Sequence, residues 1–203
     1  MYRTFVTAIS LQARGHLLKM TYHPKGFELK MNPQTSFPIV PVIASQMERK
    51  EDVRIIAVRT DNIDTPDNFE LLAEELGGLG IAREQITEIS VAENQSPEIA
   101  RELLLQVLEA IPDDSLVYGD ITFGTKPMSA ILLYALSFIE KVKDAEVAGI
   151  YYGEIPREGG VAVYEKAALY DLTLLKSLGD VIEQLYYLDV EDPVASLRRL
   201  LEQ

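Results

Sequence analysis

The sequence contains no cysteine and only two histidines, and these absences remove several kinds of site. Without cysteine there is no disulfide, no thiolate metal ligand and no cysteine nucleophile, which is typical of a cytoplasmic protein. His16 and His23 lie outside any clear helical pattern, so no histidine-rich metal centre is expected. No stretch approaches the roughly 20 consecutive apolar residues of a membrane span, and the N-terminus resembles neither a signal peptide nor a lipidation motif. We therefore expect a cytoplasmic protein without a membrane partner.

Positive charge is also scarce. The net charge of −13 opposes broad binding of duplex nucleic acid, which requires a basic surface. A small polyanionic ligand is still compatible, because a helix N-terminus and one or two cations suffice to hold it. The 203 residues, 47% of them hydrophobic, predict a single domain over 1–203, with a core at about 1–165 and C-terminal helices at about 170–203.

Five near-continuous apolar segments predict buried parallel strands, and helical patterns separate most of them. The segments are YRTFVTAIS from Tyr2, VRIIAVRT from Val53, ITEISV from Ile86, SLVYGDIT from Ser115 and EVAGIYYG from Glu146. The predicted helices end at Gly77-Gly78, begin at Ser96-Pro97, and begin at Pro127. This alternation predicts an α/β fold of Rossmann-like, doubly wound type with a mainly parallel sheet.

Two regions depart from this alternation. LLKMTYHPKGFELKM, which follows the first strand, predicts a β-hairpin insertion that turns near Pro24 to Gly26, and a short helix is expected at about 38–47. After the fifth strand we expect a Gly-Gly turn, a short strand VAVY and a helix that opens at Asp171. A last helix is predicted to be capped by Asp192-Pro193.

Polar residues cluster at the end of the fourth predicted strand, in YGDITFGTKP. Ligands bind beyond the C-terminal ends of the strands in doubly wound sheets, so this turn is a candidate site. We predict that Asp120 orients the loop and that Thr122 donates to a phosphate or ribose. The candidate ligand-binding residues of this turn are Asp120, Thr122, Gly124, Thr125 and Lys126.

The lysine of this turn comes directly before a predicted helix. Pro127 biases Lys126 away from helical dihedral angles, so the ammonium is expected to project beside the positive end of that helix. Together these features suit a phosphate. The alternative is that Asp120 and Thr122 only cap the turn while Lys126 is solvated.

The turn also resembles a known family. D-x-[ST]-x-x-x-[KR], here DITFGTK, is similar to the signature of CARF domains, the CRISPR-associated Rossmann fold. The string DITFGTKPMSAILLYAL, followed by a strand ending IYYG and later by DLTLL, resembles the branch in which the turn commonly reads DITHGFR. Phe123 replaces the histidine of that branch, and Lys126 replaces its arginine. The resemblance implies binding of a cyclic oligoadenylate across a homodimer, by this turn and the turn after the first strand.

The turn after the first strand, TAISLQARG, would face the same crevice. Ser10 and Gln12 are candidates for contacting ribose or phosphate, and Arg14 for adding charge. The alternative is that Ser10 simply terminates the strand.

Given the family resemblance, we expect cyclic tetra-adenylate as the most favoured ligand and predict a metal-independent ring nuclease with Lys126 and Ser10 as catalytic residues and no cofactor. Cleavage by the adjacent 2′-OH needs in-line alignment and charge stabilisation rather than a metal. The sequence shows no HEPN ribonuclease motif, which leaves three interpretations open: a standalone ring nuclease, a subunit that recruits a separate effector protein, and a fragment of a longer chain. The alternatives are a catalytically inert sensor or interaction module, and an unrelated doubly wound nucleotide-binding enzyme.

Two further groups of residues have weaker claims. The acidic loop DNIDTPDN, which begins at Asp61, is compatible with a metal but is also ordinary turn and N-cap chemistry. Tyr151, Tyr152 and Tyr164 are candidates for stacking on adenine, although tyrosines near a strand end are more often structural.

Overall fold

The computed structural model of the protein describes residues 1–13, 15–94, 96–188 and 190–201. The strands are β1 (Tyr2–Ala8), β2 (His23–Lys25), β3 (Val53–Thr60), β4 (Ile86–Val91), β5 (Ser115–Asp120), β6 (Ala145–Glu154), β7 (Arg157–Glu158), β8 (Val161–Ala162) and β9 (Ala168–Asp171). The α-helices are α1 (Ile39–Gln46), α2 (Thr65–Gly78), α3 (Pro97–Ala110), α4 (Lys126–Val142), α5 (Leu174–Tyr187) and α6 (Pro193–Leu201). Within these ranges no helix combines the length and apolar character needed to cross a membrane.

Seven strands form one sheet in the order β2-β9-β6-β5-β1-β3-β4. The central run from β4 to β6 is parallel throughout, and β9 joins β6 in antiparallel orientation. The chain winds outward from β1 through β3 to β4 and then crosses to β5 on the other side of β1. The predicted doubly wound fold is therefore confirmed, and its topological switch point lies between β1 and β5.

Apolar side chains cover both faces of the sheet. Consecutive residues point to opposite faces, so Phe5 and Ile55 pack with α1 and α2, whereas Val6 and Ile56 pack with α3 and α4. Each fully buried side chain of this kind contributes about 1.5–3 kcal/mol. The two cores fix β1 and β5 in the middle of the molecule, where they present their C-terminal ends side by side.

The two helices on the second face begin close to the predicted positions. Ser96 caps α3 by accepting a hydrogen bond from the backbone N–H of Ile99 at 3.4 Å. Thr125 caps α4 in the same way, so that helix begins at Lys126 and not, as predicted, at Pro127. The reason is that proline is tolerated throughout the first turn, and a threonine two residues earlier provides the better cap.

The predicted hairpin after β1 is not formed as expected. The segment does fold back on itself, but only through one antiparallel bridge between Met20 and Thr35. The predicted turn is instead the short edge strand β2, which pairs in parallel with β9. Pro24 has no N–H and is compatible with an edge strand, and the buried ring of Tyr22 fixes the start of this segment in the core.

The C-terminal part contains two strands that the sequence did not reveal, β7 and β9. Two residues of the predicted strand VAVY, Val161 and Ala162, pair with β7. Gly159 and Gly160 connect the two strands, and both have positive φ (59° and 87°), as the two-residue loop of a hairpin requires. β9 is the longer of the two unpredicted strands, and Asp171 ends it rather than opening a helix. The last helix is as predicted, since Asp192 accepts a hydrogen bond from Ala195 N at 2.9 Å and Pro193 follows it.

Candidate functional site

The turns after β1 and β5 lie next to each other at the switch point. Thr7 is the register partner of Asp120 in these adjacent parallel strands. Their side chains are also hydrogen-bonded, with Thr7 Oγ1 donating to Asp120 Oδ2 at 2.9 Å. The two turns that carry the candidate residues therefore meet at one edge of the sheet, where this type of fold binds its ligands.

Asp120 is almost completely buried, with 1% of its surface exposed. Its second oxygen, Oδ1, accepts hydrogen bonds from the backbone N–H of Thr122 at 3.0 Å and from the Thr122 hydroxyl. That hydroxyl in turn accepts a hydrogen bond from Gly153 N of β6 at 2.7 Å. The Asp120 carboxylate thus links β1 and β5 and, through Thr122, also β6. It stabilises the turn from the interior of the protein and is not accessible to a ligand.

This burial changes the acidity of Asp120. Loss of hydration raises its pKa from the ordinary 3.8 to about 6, although the hydrogen bonds from Thr122 and Thr7 oppose the rise. At neutral pH the group is mainly ionised and can accept all three hydrogen bonds. A buried carboxylate with a raised pKa at a strand end is a common mark of a functional site.

The turn then packs tightly against β1 and α4. Gly124 has φ +88°, and a Cβ atom there would lie 2.6 Å from Met128 Sδ and 3.2 Å from Ala8 Cβ. Only glycine fits this position without strain or displacement. Thr125 follows as the N-cap, and its Oγ1 accepts a hydrogen bond from Met128 N at 3.3 Å. Gly124 and Thr125, both predicted to bind ligand, thus have structural roles in positioning the start of α4.

Lys126 occupies the first position of α4 and is exposed. Within the described parts of the chain its ammonium has neither an ion pair nor a hydrogen bond, whereas Arg59 and Lys176 pair with carboxylates. Pro127 has no N–H and Met128 N is capped, so the backbone N–H of Lys126 is also available to a ligand. One residue therefore presents a charge and a backbone donor at the positive end of a helix 17 residues long.

The turn after β1 is held differently. Ser10 is buried, at 1% exposure, and its hydroxyl accepts a hydrogen bond from the backbone N–H of Gln12 at 3.2 Å. Gln12 itself is exposed. The structure thus places the Ser10 hydroxyl inside the turn rather than on its surface, in agreement with the alternative of a strand-terminating serine. Arg14, the third candidate here, lies outside the described residues.

Sequence reasoning missed the residue that fixes this first turn. Asn68 of α2 is buried, and its amide nitrogen donates to the carbonyl oxygens of Ser10 at 2.9 Å and Gln12 at 2.8 Å. The signal was present in the pattern, because Asn68 is an amide on the stripe that otherwise carries Phe69 and Leu72 into the core. A buried amide on an apolar helix face needs partners, and here the partners are the backbone of the candidate site.

A pocket lies beside the switch point, on the face of the sheet covered by α1. Gln12 from the first turn and Phe123 from the second both line it, together with Arg157 and Tyr164 from the segment after β6. Tyr164, one of the three tyrosines predicted as candidates for stacking on adenine, therefore lies beside the candidate site. Tyr151 is instead buried and packs its ring on Phe27 at 5.3 Å between centroids.

The acidic loop after β3 shows turn chemistry. Asn62 Oδ1 accepts hydrogen bonds from the backbone N–H groups of Asp64 and Thr65, at 3.1 Å and 3.2 Å. Asp61 pairs with Arg59 at 3.3 Å. Over the part of the chain that the structure describes, no group of three or more acidic or histidine side chains is arranged to hold a metal ion.

No protein-family model matches the sequence, and no curated protein matches it. Among solved structures, the chain is similar to Enterococcus italicus Csm6 bound to cyclic hexa-2'-fluoro-hexa-dAMP, with a TM-score of 0.47 and 9% sequence identity. The match covers 99% of this chain and 54% of that one, so this chain spans about half the length of that protein.

Proposed function

We propose that this protein binds a cyclic oligoadenylate, with cyclic tetra-adenylate as the expected ring, at the edge of the sheet between β1 and β5. The observation that carries the proposal is the state of Lys126. Its ammonium and its backbone N–H are both available at the start of α4, beside the switch point. Phosphodiester oxygens are well suited to such a pair of donors.

Charge supports a small anionic ligand over a large one. The chain carries −13 net charge, so an extended polyanion would meet repulsion over most of the surface. The carboxylate of the turn itself, Asp120, accepts hydrogen bonds from protein donors and is buried. The local field at Lys126 therefore favours an anion even though the whole protein repels one.

The motif residues support the identity of the ligand. In DITFGTK, the Asp120 carboxylate accepts three hydrogen bonds, and the Thr122 hydroxyl bridges Asp120 and β6. These are the positions in which the sequence resembles CARF domains, whose ligands are cyclic oligoadenylates. A twofold homodimer would place two such turns about one axis, which a ring with an even number of identical nucleotides can share.

Ring cleavage stays a prediction, and binding alone is the better-supported function. The Ser10 hydroxyl is engaged by Gln12 N inside the turn, so aligning a ribose 2′-OH would require that turn to rearrange. A binding protein that signals to a separate effector through its dimer needs no such rearrangement of Ser10.

The test is to incubate the purified protein with labelled cyclic tetra-adenylate, with and without EDTA, and to analyse both retention and the chemical state of the label. Retained intact ligand supports a sensor, and conversion that EDTA does not prevent supports a ring nuclease. Linear tetra-adenylate and ATP serve as competitors. Absence of retention, or equal displacement by ATP, would contradict the proposal and favour an unrelated nucleotide-binding enzyme.

A further inference from the structure

Ser36, between β2 and α1, has a buried hydroxyl without a partner. The residue is 1% exposed, and its Oγ has no hydrogen-bond partner in the described structure. Its backbone N–H is held by the Glu75 carboxylate at 3.2 Å, so the residue is fixed in place. The neighbouring Thr35 hydroxyl, by contrast, both donates to Glu75 and accepts from Phe37 N. An unsatisfied buried hydroxyl is uncommon in a native protein and calls for a reason.

The location of Ser36 supplies that reason. It lines the pocket beside the switch point, where apolar and polar side chains both contribute to the lining. The apolar and aromatic lining residues include Leu17, Met20, Tyr22 and Phe123, and the polar ones include Gln12, His16, Arg157 and Tyr164. Apolar and aromatic side chains combined with a few polar groups fit a flat heteroaromatic ring, which has apolar faces and a hydrogen-bonding edge.

The pocket is close in sequence to Lys126, the proposed phosphate contact at the start of α4. Phe123 and Lys126 are three residues apart, at most about 11 Å even in an extended chain. A single nucleotide can bridge this separation, with its phosphate at Lys126 and its base beside Phe123. Gln12 brings the first turn to the same pocket.

We propose that this pocket is the nucleobase subsite, and that the Ser36 hydroxyl recognises the edge of an adenine. The proposal rests on the proposed function, since it assigns one part of that ligand to one part of the site. A hydroxyl can donate to a ring nitrogen and accept from an exocyclic amino group, and adenine presents N7 and N6–H₂ side by side. The exposed Arg157 also lines this pocket, and a guanidinium there can stack on a base or bind a phosphate.

Ser36→Ala tests this subsite, with Ser45→Ala as the matched control. Ser36 has no partner to lose, so its variant should keep or slightly raise the Tm of the free protein while binding cyclic tetra-adenylate about tenfold more weakly. The buried Ser45 hydroxyl of α1 is bonded to Met31 N and O at 3.0 Å and 2.8 Å. Its variant should show the reverse, a Tm lower by about 2–4 °C with unchanged affinity.

Cyclic tetra-uridylate, which has the same phosphates and smaller bases, serves as the second ligand. The wild type should prefer the adenylate ring, and Ser36→Ala should narrow that preference. Unchanged adenylate affinity in Ser36→Ala, with weaker binding by Lys126→Ala, would overturn the subsite and leave the proposed function standing. No binding of cyclic tetra-adenylate by the wild type would overturn both. If Ser36→Ala fails to fold, the exposed substitution Arg157→Gln should weaken adenylate binding, and wild-type affinity in it would refute the subsite.

Discussion

Replacing Asp120 with asparagine should change the way in which stability depends on pH. Burial raises the pKa of Asp120 from 3.8 to about 6, in spite of the hydrogen bonds from Thr122 and Thr7. An acid with a raised pKa binds its proton more tightly in the folded state than in the unfolded state. Its stabilising contribution is therefore complete below pH 3.8 and is lost as the pH rises through about 6.

The size of this effect follows from the shift. At about 1.4 kcal/mol per pKa unit, the whole window corresponds to about 3 kcal/mol in the free energy of unfolding. The pI of 4.6 makes measurements below about pH 5 impractical, and roughly 1 kcal/mol of the change falls between about pH 5 and pH 7.5. Asparagine has the same shape: its oxygen can accept from both Thr122 donors, and its amide nitrogen can donate to the Thr7 hydroxyl. The variant should thus keep the turn and lose the titration.

Urea unfolding of both proteins at several pH values measures the difference. Because the other acidic groups are shared, their titration cancels when the two free energies of unfolding are subtracted. The difference should move in favour of Asp120→Asn by roughly 1 kcal/mol as the pH rises from about 5 to 7.5. If the difference in the free energy of unfolding does not vary with pH, or moves in favour of the wild type, the argument is refuted. Burial would then not destabilise the ionised form of Asp120.

Three further predictions concern the turn, the assembly and the chemistry. Gly124→Ala should lower the free energy of unfolding by about 1–2 kcal/mol because of the positive φ, and by a further amount because the new methyl group would contact Met128. Gly26→Ala, with φ +84° and open space around it, should show only the first effect. Equal losses for the two variants in thermal or urea unfolding would argue against a tightly packed turn at Gly124. The protein should sediment as a dimer and bind one ring per dimer, with rings of four or six adenylates preferred over three; a monomer at micromolar concentration, or one ring per chain by calorimetry, would count against this. Any ring cleavage should proceed in EDTA and slow more than binding weakens in Ser10→Ala, and cleavage restored only by manganese or magnesium would rule out the proposed metal-free chemistry.

The central sheet was predictable because its strands are buried on both faces. Segments such as VRIIAVRT, from Val53, are continuous apolar runs bounded by polar turns, and few other structures produce that pattern. The edge strands were not predictable in the same way. β2 and β9 have three and four residues, partly exposed, so they show no periodicity. Pro24 to Gly26 is a usual turn signal, and pairing with a strand some 145 residues away overrides it.

The candidate site was predictable in part for a similar reason. The turn at Asp120 is local, so its polar residues and its glycine are recognisable from spacing alone, whereas the capping role of Thr125 was not predicted. The amide of Asn68 on an apolar helix stripe marks a buried polar group, but its partners are far away in sequence, and no local pattern marks Ser36. The position of Ser10 was also undecided by sequence, because a strand-terminating serine and a ligand-facing serine have the same neighbours.

The most direct measurement is calorimetric titration of cyclic tetra-adenylate into the wild type, Lys126→Ala and Lys30→Ala. Lys30 is an exposed lysine. Its neighbour Met31 is hydrogen-bonded to Ser45, which lies near the end of α1 that is farther from the site. It therefore matches Lys126 in charge and exposure. The account predicts that Lys126→Ala weakens binding by about 1.5–3 kcal/mol, the scale of a charge-assisted hydrogen bond, whereas Lys30→Ala binds like the wild type. Equal affinities in all three proteins, or equal losses in both variants, would contradict a specific ligand site at the start of α4.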